Sequence, residues 1–321
     1  MQAIVQDSYG SADVLQLKEI ARPQVGADDI LIRVHAAGVD FGVWHLMAGI
    51  PHAVRLVMGV RKPRNPVRGT EVAGVVDAVG ANVSTLKVGD EVFGVCEGSF
   101  AEYARASPAR VLNKPSNLTF EEAAVVPISA TTALLGLRAA KVQSGQTVLV
   151  IGAGGGVGSY VVQLARSMGA EVSGVCSTAK LEFVRSLGAT HVIDYTREDF
   201  ADGGHRYDTI IDLAGNRTVS HLRGALTPTG TLVILGGEGG GRWLGMGRQV
   251  WSKIVGLVSR QKFRSPLALV NQKDLGILKE LFEAGTVTPI ISRSYPLREV
   301  PMAVRALAEG HSRGKSVIKV C

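Results

Sequence analysis

Gly152-Ala153-Gly154-Gly155-Gly156-Val157-Gly158 follows directly on an apolar run, Thr147–Ile151, and leads into a stretch with helical spacing of apolar residues. A strand, a glycine turn and a helix in that order can hold a pyrophosphate. The turn must be tight, the backbone must come close to the phosphates, and the helix must lie close on the strand. A side chain obstructs each of these. The first turn of the helix then offers unpaired N–H groups and the positive end of its dipole. The spacing is not a strict G-x-G-x-x-G. It reads G-x-x-G-x-x-G through Gly152, Gly155 and Gly158, and A-x-G-x-x-G through Ala153, Gly155 and Gly158. Such a stretch can also be a glycine-rich turn without a ligand, but the flanking strand and helix favour a dinucleotide.

The end of the next apolar strand selects the kind of dinucleotide. An Asp or Glu there holds a free ribose 2′-hydroxyl. This chain instead reads Cys176-Ser177-Thr178-Ala179-Lys180, without an acid. Two hydroxyls and an ammonium suit a 2′-phosphate, so the expected cofactor is NADPH. The other reading of Ser177 and Thr178 is that they only cap the following helix.

These residues need a framework. The chain of 321 residues exceeds what one hydrophobic core usually serves, so two domains are expected. Residues 1–120 read as short strands between turns, which suggests a partly open β-barrel. Its strands include 30–37, Glu71–Val79 and Glu91–Val95, and the basic run 55–68 reads as an extended surface loop. Thr119 and Glu122 form a capping box at a helix start. Beyond it, strands alternate with helices: Thr147–Ile151, helix 157–168, Glu171–Cys176, helix 179–187, His191–Asp194, strand 209–213, helix 217–226 and strand 231–235. That alternation predicts a doubly wound parallel sheet. A strand near 267–270, a helix 273–284, and a strand–helix–strand tail complete the chain.

Composition narrows the function classes. Hydrophobic residues make up 46% and charged ones 20%, as in a globular protein. No apolar run is long enough to span a membrane, and the first residues lack a signal-peptide pattern. Cys96, Cys176 and Cys321 form no CxxC pair, which suits a reducing, cytoplasmic setting. The net charge of +7 permits nucleic acid, but no aromatic-basic stripe supports it. The tightest basic cluster, 55–68, holds Arg55, Arg61, Lys62, Arg64 and Arg68 without an acid. It is either a solvated loop or a rim that draws in an anion.

The segment 145–166 resembles the signature of zinc-independent quinone oxidoreductases and zeta-crystallins, a branch of the medium-chain dehydrogenase/reductase superfamily. Gly145, Gln146, Leu149, Gly155, Gly156, Gly158, Gln163 and Arg166 carry that resemblance. Gly69-Thr70-Glu71, Val88-Gly89-Asp90 and Phe100-Ala101-Glu102-Tyr103 extend it through the first part of the chain. The resemblance implies an α/β architecture: a GroES-like barrel from residues 1–122, completed by 288–321, and a Rossmann domain from 123–287, with the active site in the cleft. It implies nicotinamide and adenosine contacts at Thr132 and Tyr195, and a phosphate contact at Lys315. Leu213, Ala214 and Gly215, with Leu235, Gly236 and Gly237, would end later strands at the nucleotide. A homodimer paired through sheet edges near 267–270 is also implied.

Zinc relatives carry a Cys and a His where this chain has Asp40 and Thr70, so no catalytic metal is expected. His35, His45 and His52 share no helix-face spacing that would replace those ligands. Without a Lewis acid, hydride transfer to a quinone or to another α,β-unsaturated carbonyl fits best. The loop 38–49 departs from the family's G-V-N-x-x-D. In it Asp40 would line the nicotinamide pocket, Trp44 and Met47 would wall an apolar quinone, and His45 would donate a proton; bulk water is the alternative donor. The second glycine cluster, around Arg242 and Trp243, reads either as a mobile lid or as an irregular connection. Two further functions stand beside the first: zinc-free reduction of another carbonyl, and nucleotide binding with little catalysis and some RNA affinity.

Overall fold

The computed structural model describes the chain except Ala53, Gly203, 237–258, Ala268 and His311. It divides into two compact units, Met1–Thr131 with Leu269–Cys321, and Thr132–Ala268. The expected boundaries at 122 and 287 lie elsewhere for a packing reason. The capped helix Phe120–Ala124 packs on strands of the first unit, and the helix Gln272–Glu283 packs on its strand Val111–Asn113. Both helices therefore belong to the barrel unit.

In the second unit six parallel strands form one sheet. Their order is His191–Asp194, Glu171–Cys176, Thr147–Ile151, Tyr207–Asp212, Leu226–Ile234 and Lys262–Arg264. Numbered along the chain this is 3-2-1-4-5-6, the doubly wound order that binds dinucleotides where the strand order reverses. Val148, Leu149 and Val150 are fully buried, as a strand covered on both faces requires. The helix Gly156–Ser167 packs on the strands Thr147–Ile151 and Glu171–Cys176, and Gly158 through Ala165 within it are buried. The sixth strand occupies Lys262–Arg264 rather than the expected 267–270, where Leu267 and Leu269 are exposed.

The first unit is built on a seven-stranded sheet. Ile291–Pro296, Lys315–Lys319, Ile30–Val39, Glu71–Val79, Glu91–Val95 and Val111–Asn113 follow one another, and Tyr103–Ala106 pairs with Ile30–Val39. The carboxy-terminal tail thus adds strands to the amino-terminal sheet. Gln2–Val5 and Gln16–Glu19 make a separate antiparallel pair. The segment 38–49, read as a loop, holds a helix, Phe41–Ala48. Asp40 caps its start and Gly49 ends it in the left-handed region (φ 63°). The basic segment likewise begins with a short helix, Val54–Met58, overlapping the part read as extended. Periodicity failed at both because apolar and polar residues are mixed around these short helices rather than striped.

Candidate active site

The glycine turn sits at the carboxyl end of the first parallel strand. Gly152 has φ 89°, where an L side chain is strained. Its N–H and that of Ala153 both donate to the Val175 carbonyl at 3.1 Å. A Cβ on Gly158 would lie 2.1 Å from the Gly152 carbonyl oxygen, so helix and turn touch backbone to backbone. Gly155 differs. It caps the helix Gly156–Ser167 in an extended conformation, and a Cβ there would meet only the Gly152 oxygen, at 3.4 Å. The fold needs Gly158 bare; the space over Gly155 is what an approaching phosphate would use. The helix N-terminus beginning at Gly156 and Val157 supplies N–H groups to that space. The residues present therefore fit a dinucleotide pyrophosphate.

The neighbouring strand ends gather the other expected contacts. The Leu213 N–H donates to the Ile151 carbonyl at 3.1 Å. Gly215 N–H donates to Asp212 Oδ1 at 3.1 Å, and Leu235 and Gly236 N–H donate to the Asp212 carbonyl at 2.9 and 3.2 Å. A Cβ on Gly236 would lie 1.8 Å from the Leu213 carbonyl, so only glycine lets these two turns meet. Gly152, Leu213, Ala214, Gly215, Leu235 and Gly236 thus share the carboxyl edge of three adjacent strands. Gly136 packs its bare face on Leu235. Thr132 lies four residues before it on the same helix face and is half-buried. Gly237, Arg242 and Trp243 lie outside the described residues.

The turn after the second strand needs one correction. Thr178 Oγ1 donates to Asp194 Oδ2 at 2.5 Å, so its single proton is spent inside the protein. Thr178 therefore cannot donate to a phosphate as expected. Asp194 also accepts from the Thr196 hydroxyl at 2.7 Å and the Thr196 N–H at 3.0 Å. The Thr178 hydroxyl, ahead of the other partners, holds the Asp194 carboxyl below its ordinary range. Sequence reading missed Asp194; its place at the end of the third strand was the available signal. Ser177 makes no side-chain capping bond, and the stem of Lys180 lies against Gly154, whose added Cβ would be 2.8 Å from its Cδ. Tyr195 is anchored by its N–H to the Cys176 carbonyl at 3.2 Å and is half exposed. Ser177, Lys180 and Tyr195 thus stand together, as a 2′-phosphate and adenosine site would require. A 330 Å³ cavity lined by Lys141, Thr209, Thr231 and Lys262 opens at the amino ends of these strands, away from the glycine turn.

In the barrel unit, Asp40 and Thr70 occupy adjacent positions and bond to each other. Thr70 Oγ1 donates to Asp40 Oδ2 at 3.3 Å, while Asp40 Oδ1 accepts from the Val43 N–H at 3.2 Å. Asp40 is buried and serves as a helix cap. Glu71 is fully buried; its Oε1 accepts from the Ile128 N–H at 2.8 Å, and its Oε2 pairs with the Lys315 ammonium. Burial pushes the Glu71 carboxyl up, with Lys315 pulling it back. Lys315 is 4% exposed, so its charge is committed to Glu71 and does not stand open for a phosphate as expected. A Cβ on Gly38 would lie 2.3 Å from Glu71 Oε2, which explains the glycine there.

The other expectations in this unit also change. Burial lowers the His45 pKa, so the ring is neutral at neutral pH and a poor acid; its Nδ1 is buried without a partner. Met47 is 1% exposed in the core with Val300, Ala303 and Val304, and Trp44 packs against that core. The two line a 390 Å³ apolar cavity with Ile50, Val304 and Ala308. Among the described residues no group of three or more His, Cys, Asp or Glu could hold a metal ion.

Comparison with known proteins agrees with this architecture. Residues 26–116 match the alcohol dehydrogenase GroES-like domain, and residues 187–318 match a domain described as zinc-binding dehydrogenase. The chain is 37% identical to the 2-methylene-furan-3-one reductase of Solanum lycopersicum, covering 99% of this chain and 79% of that protein. It is 33% identical to the chloroplastic NADPH-dependent alkenal/one oxidoreductase of Arabidopsis thaliana, with the same coverage of 99% and 79%. The solved quinone oxidoreductase of Coxiella burnetii superposes with a TM-score of 0.88 at 29% identity, over 100% of this chain and 99% of that one.

Proposed function

The chain belongs to the medium-chain dehydrogenase/reductase superfamily, in its quinone oxidoreductase branch, and we propose that it uses NADPH to reduce a quinone or another α,β-unsaturated carbonyl. The observation that carries this is the bare Gly155 cradle beside the acid-free turn of Ser177 and Lys180. When bound, NADPH supplies the hydride. The protein's part is to hold and orient. Gly152, Gly155, Gly156, Val157 and Gly158 would hold the pyrophosphate; Ser177 and Lys180 the 2′-phosphate; Tyr195 the adenosine; and Thr132 with Leu213, Ala214, Gly215, Leu235 and Gly236 the nicotinamide end. The proton that completes reduction would come from solvent, because burial lowers the His45 pKa and favours its neutral form.

The reading does without a metal. Its support is the donor set: a helix-capping aspartate and a threonine bonded to each other replace thiolate and imidazole. A cytoplasmic homodimer belongs to the same reading, supported by three free thiols and by the exposed Leu267 and Leu269 near the free sheet edge. The test mixes protein, NADPH and either 1,4-benzoquinone or 3-penten-2-one, and follows absorbance at about 340 nm, where reduced nicotinamide absorbs. Loss of absorbance that needs both protein and acceptor supports the proposal. No loss across a panel of quinones and enones overturns it.

A further inference from the structure

The 330 Å³ cavity at the amino ends of the parallel strands has no part in this scheme. Strand register builds one side of it. Thr209 pairs with Thr231, and Thr231 with Lys262, across three neighbouring strands. Partners in a parallel ladder point to the same face, so these side chains form a row about 4.8 Å apart, and Arg264, two residues beyond Lys262, shares that face. All four line the cavity. Thr209 and Thr231 are 1% and 7% exposed, yet among the described residues neither hydroxyl makes a hydrogen bond. Buried hydroxyls are normally paired, so two unpaired ones side by side on a cavity call for a ligand.

Charge says which kind. Lys141 lines the opposite side, just past the helix Pro127–Ala140, and holds φ 57°, a left-handed conformation usually left to Gly or Asn at a helix end. Lys141, Lys262 and Arg264 are exposed, and among the described residues none forms an ion pair; Arg264 Nη1 donates to the Phe263 carbonyl at 3.0 Å. Asp208 is the one acid among the described lining residues. Its Oδ2 accepts from the Thr147 N–H and hydroxyl at 3.1 and 3.2 Å, and its Oδ1 from the Thr227 hydroxyl at 3.5 Å. The helix end adds about half a negative charge. Three cations outweigh both, so the cavity favours an anion. Gln146 also lines it; its Oε1 accepts from the Gln143 N–H at 3.0 Å, which leaves its amide N–H groups to donate. Water alone would satisfy two threonines, but it gives no reason to gather three cations around them.

We infer that this cavity is a second ligand site, for a small phosphate monoester that also carries hydroxyls. The cations hold the phosphate, and the threonines and Gln146 hold the hydroxyls. A volume of 330 Å³ lies at the low end of small-molecule sites, which run from about 300 to 1,000 Å³, and suits a few-carbon ligand better than a dinucleotide. The strand Thr147–Ile151 separates the site from the glycine turn, by about 13 Å at roughly 3.3 Å per residue. Occupancy therefore does not compete with the cofactor.

Calorimetric titration of the NADPH-saturated protein, in a phosphate-free buffer, tests the site with ribose 5-phosphate, glycerol 3-phosphate, inorganic phosphate and ribose. At least one of the two esters should bind at least about tenfold more tightly than inorganic phosphate, and ribose more weakly than either. Lys262→Gln should weaken that ester by roughly 10- to 100-fold, the effect of losing one charge-assisted hydrogen bond, and Thr231→Val at least about fivefold, while NADPH affinity moves by less than about twofold in both. No heat with any of the three phosphates overturns the proposal. So does ester binding that NADPH displaces, or that both variants leave unchanged. Thermal melts separate a structural role: Thr231→Val should equal or exceed wild type in Tm, because it removes a buried hydroxyl without a partner, and a fall beyond about 5 °C would mean that the hydroxyl serves the fold and not a ligand.

Discussion

Replacing Lys180 with Met removes one ammonium from the turn proposed to take the 2′-phosphate and keeps an apolar stem of similar length. That stem lies against Gly154, so the packing seen there, with Cδ 2.8 Å from the added Cβ, is preserved. What is lost is a charge-assisted hydrogen bond. Such a bond contributes about 1.5–3 kcal/mol, which is roughly 10- to 100-fold in affinity. Thr178 cannot make up the loss, because its proton is held by Asp194. Ser177 and backbone N–H groups remain, so binding weakens and does not vanish. NADH carries no 2′-phosphate, and its affinity should move by less than about twofold. Fluorescence titration of K180M and wild type with both nucleotides measures the four constants. High salt should shrink the NADPH difference, since the pair is partly exposed. Equal weakening of NADPH and NADH would refute the assignment and point to a general disturbance of the turn.

Other outcomes follow from the same geometry. Gly158→Ala puts a Cβ 2.1 Å from a backbone oxygen and should lower Tm by more than about 10 °C, whereas Gly155→Ala meets only one atom at 3.4 Å and should keep Tm within about 3 °C while weakening NADPH at least about tenfold; thermal melts paired with titration distinguish the two. His45 has a lowered folded pKa, so the unfolded chain binds its proton more readily; stability should fall as pH drops below about 6.5 and then level, and in His45→Gln that slope should flatten while turnover at neutral pH stays within about threefold. Asp194 has the lowered pKa of a bonded carboxylate, so its contribution is present above the unfolded value of about 4 and is lost as pH falls through the folded one; the Tm gap between wild type and Asp194→Asn should be constant near neutral pH and close in acid.

Local pattern determined much of this protein from the sequence. The apolar strand Thr147–Ile151, the bare turn and the following helix were legible because each demand acts within a few residues. So was the capping box, in which Glu122 N–H donates to the Thr119 hydroxyl at 3.2 Å and the Thr119 N–H donates back to the Glu122 carboxylate at 2.8 Å. Strand alternation gave five of the six parallel strands; the sixth was missed because Lys262–Arg264 has a single buried residue, Phe263, and no apolar run. Tertiary structure alone decided where the charges end. Lys315 meets Glu71 across 244 residues, and no local pattern announces that pairing. Thr178 donates a hydrogen bond to Asp194 across 16 residues because neighbouring strands finish side by side. Residue type said what each of these groups could do; burial and long-range partners decided which are committed inside the protein, as Thr178 and Lys315 are.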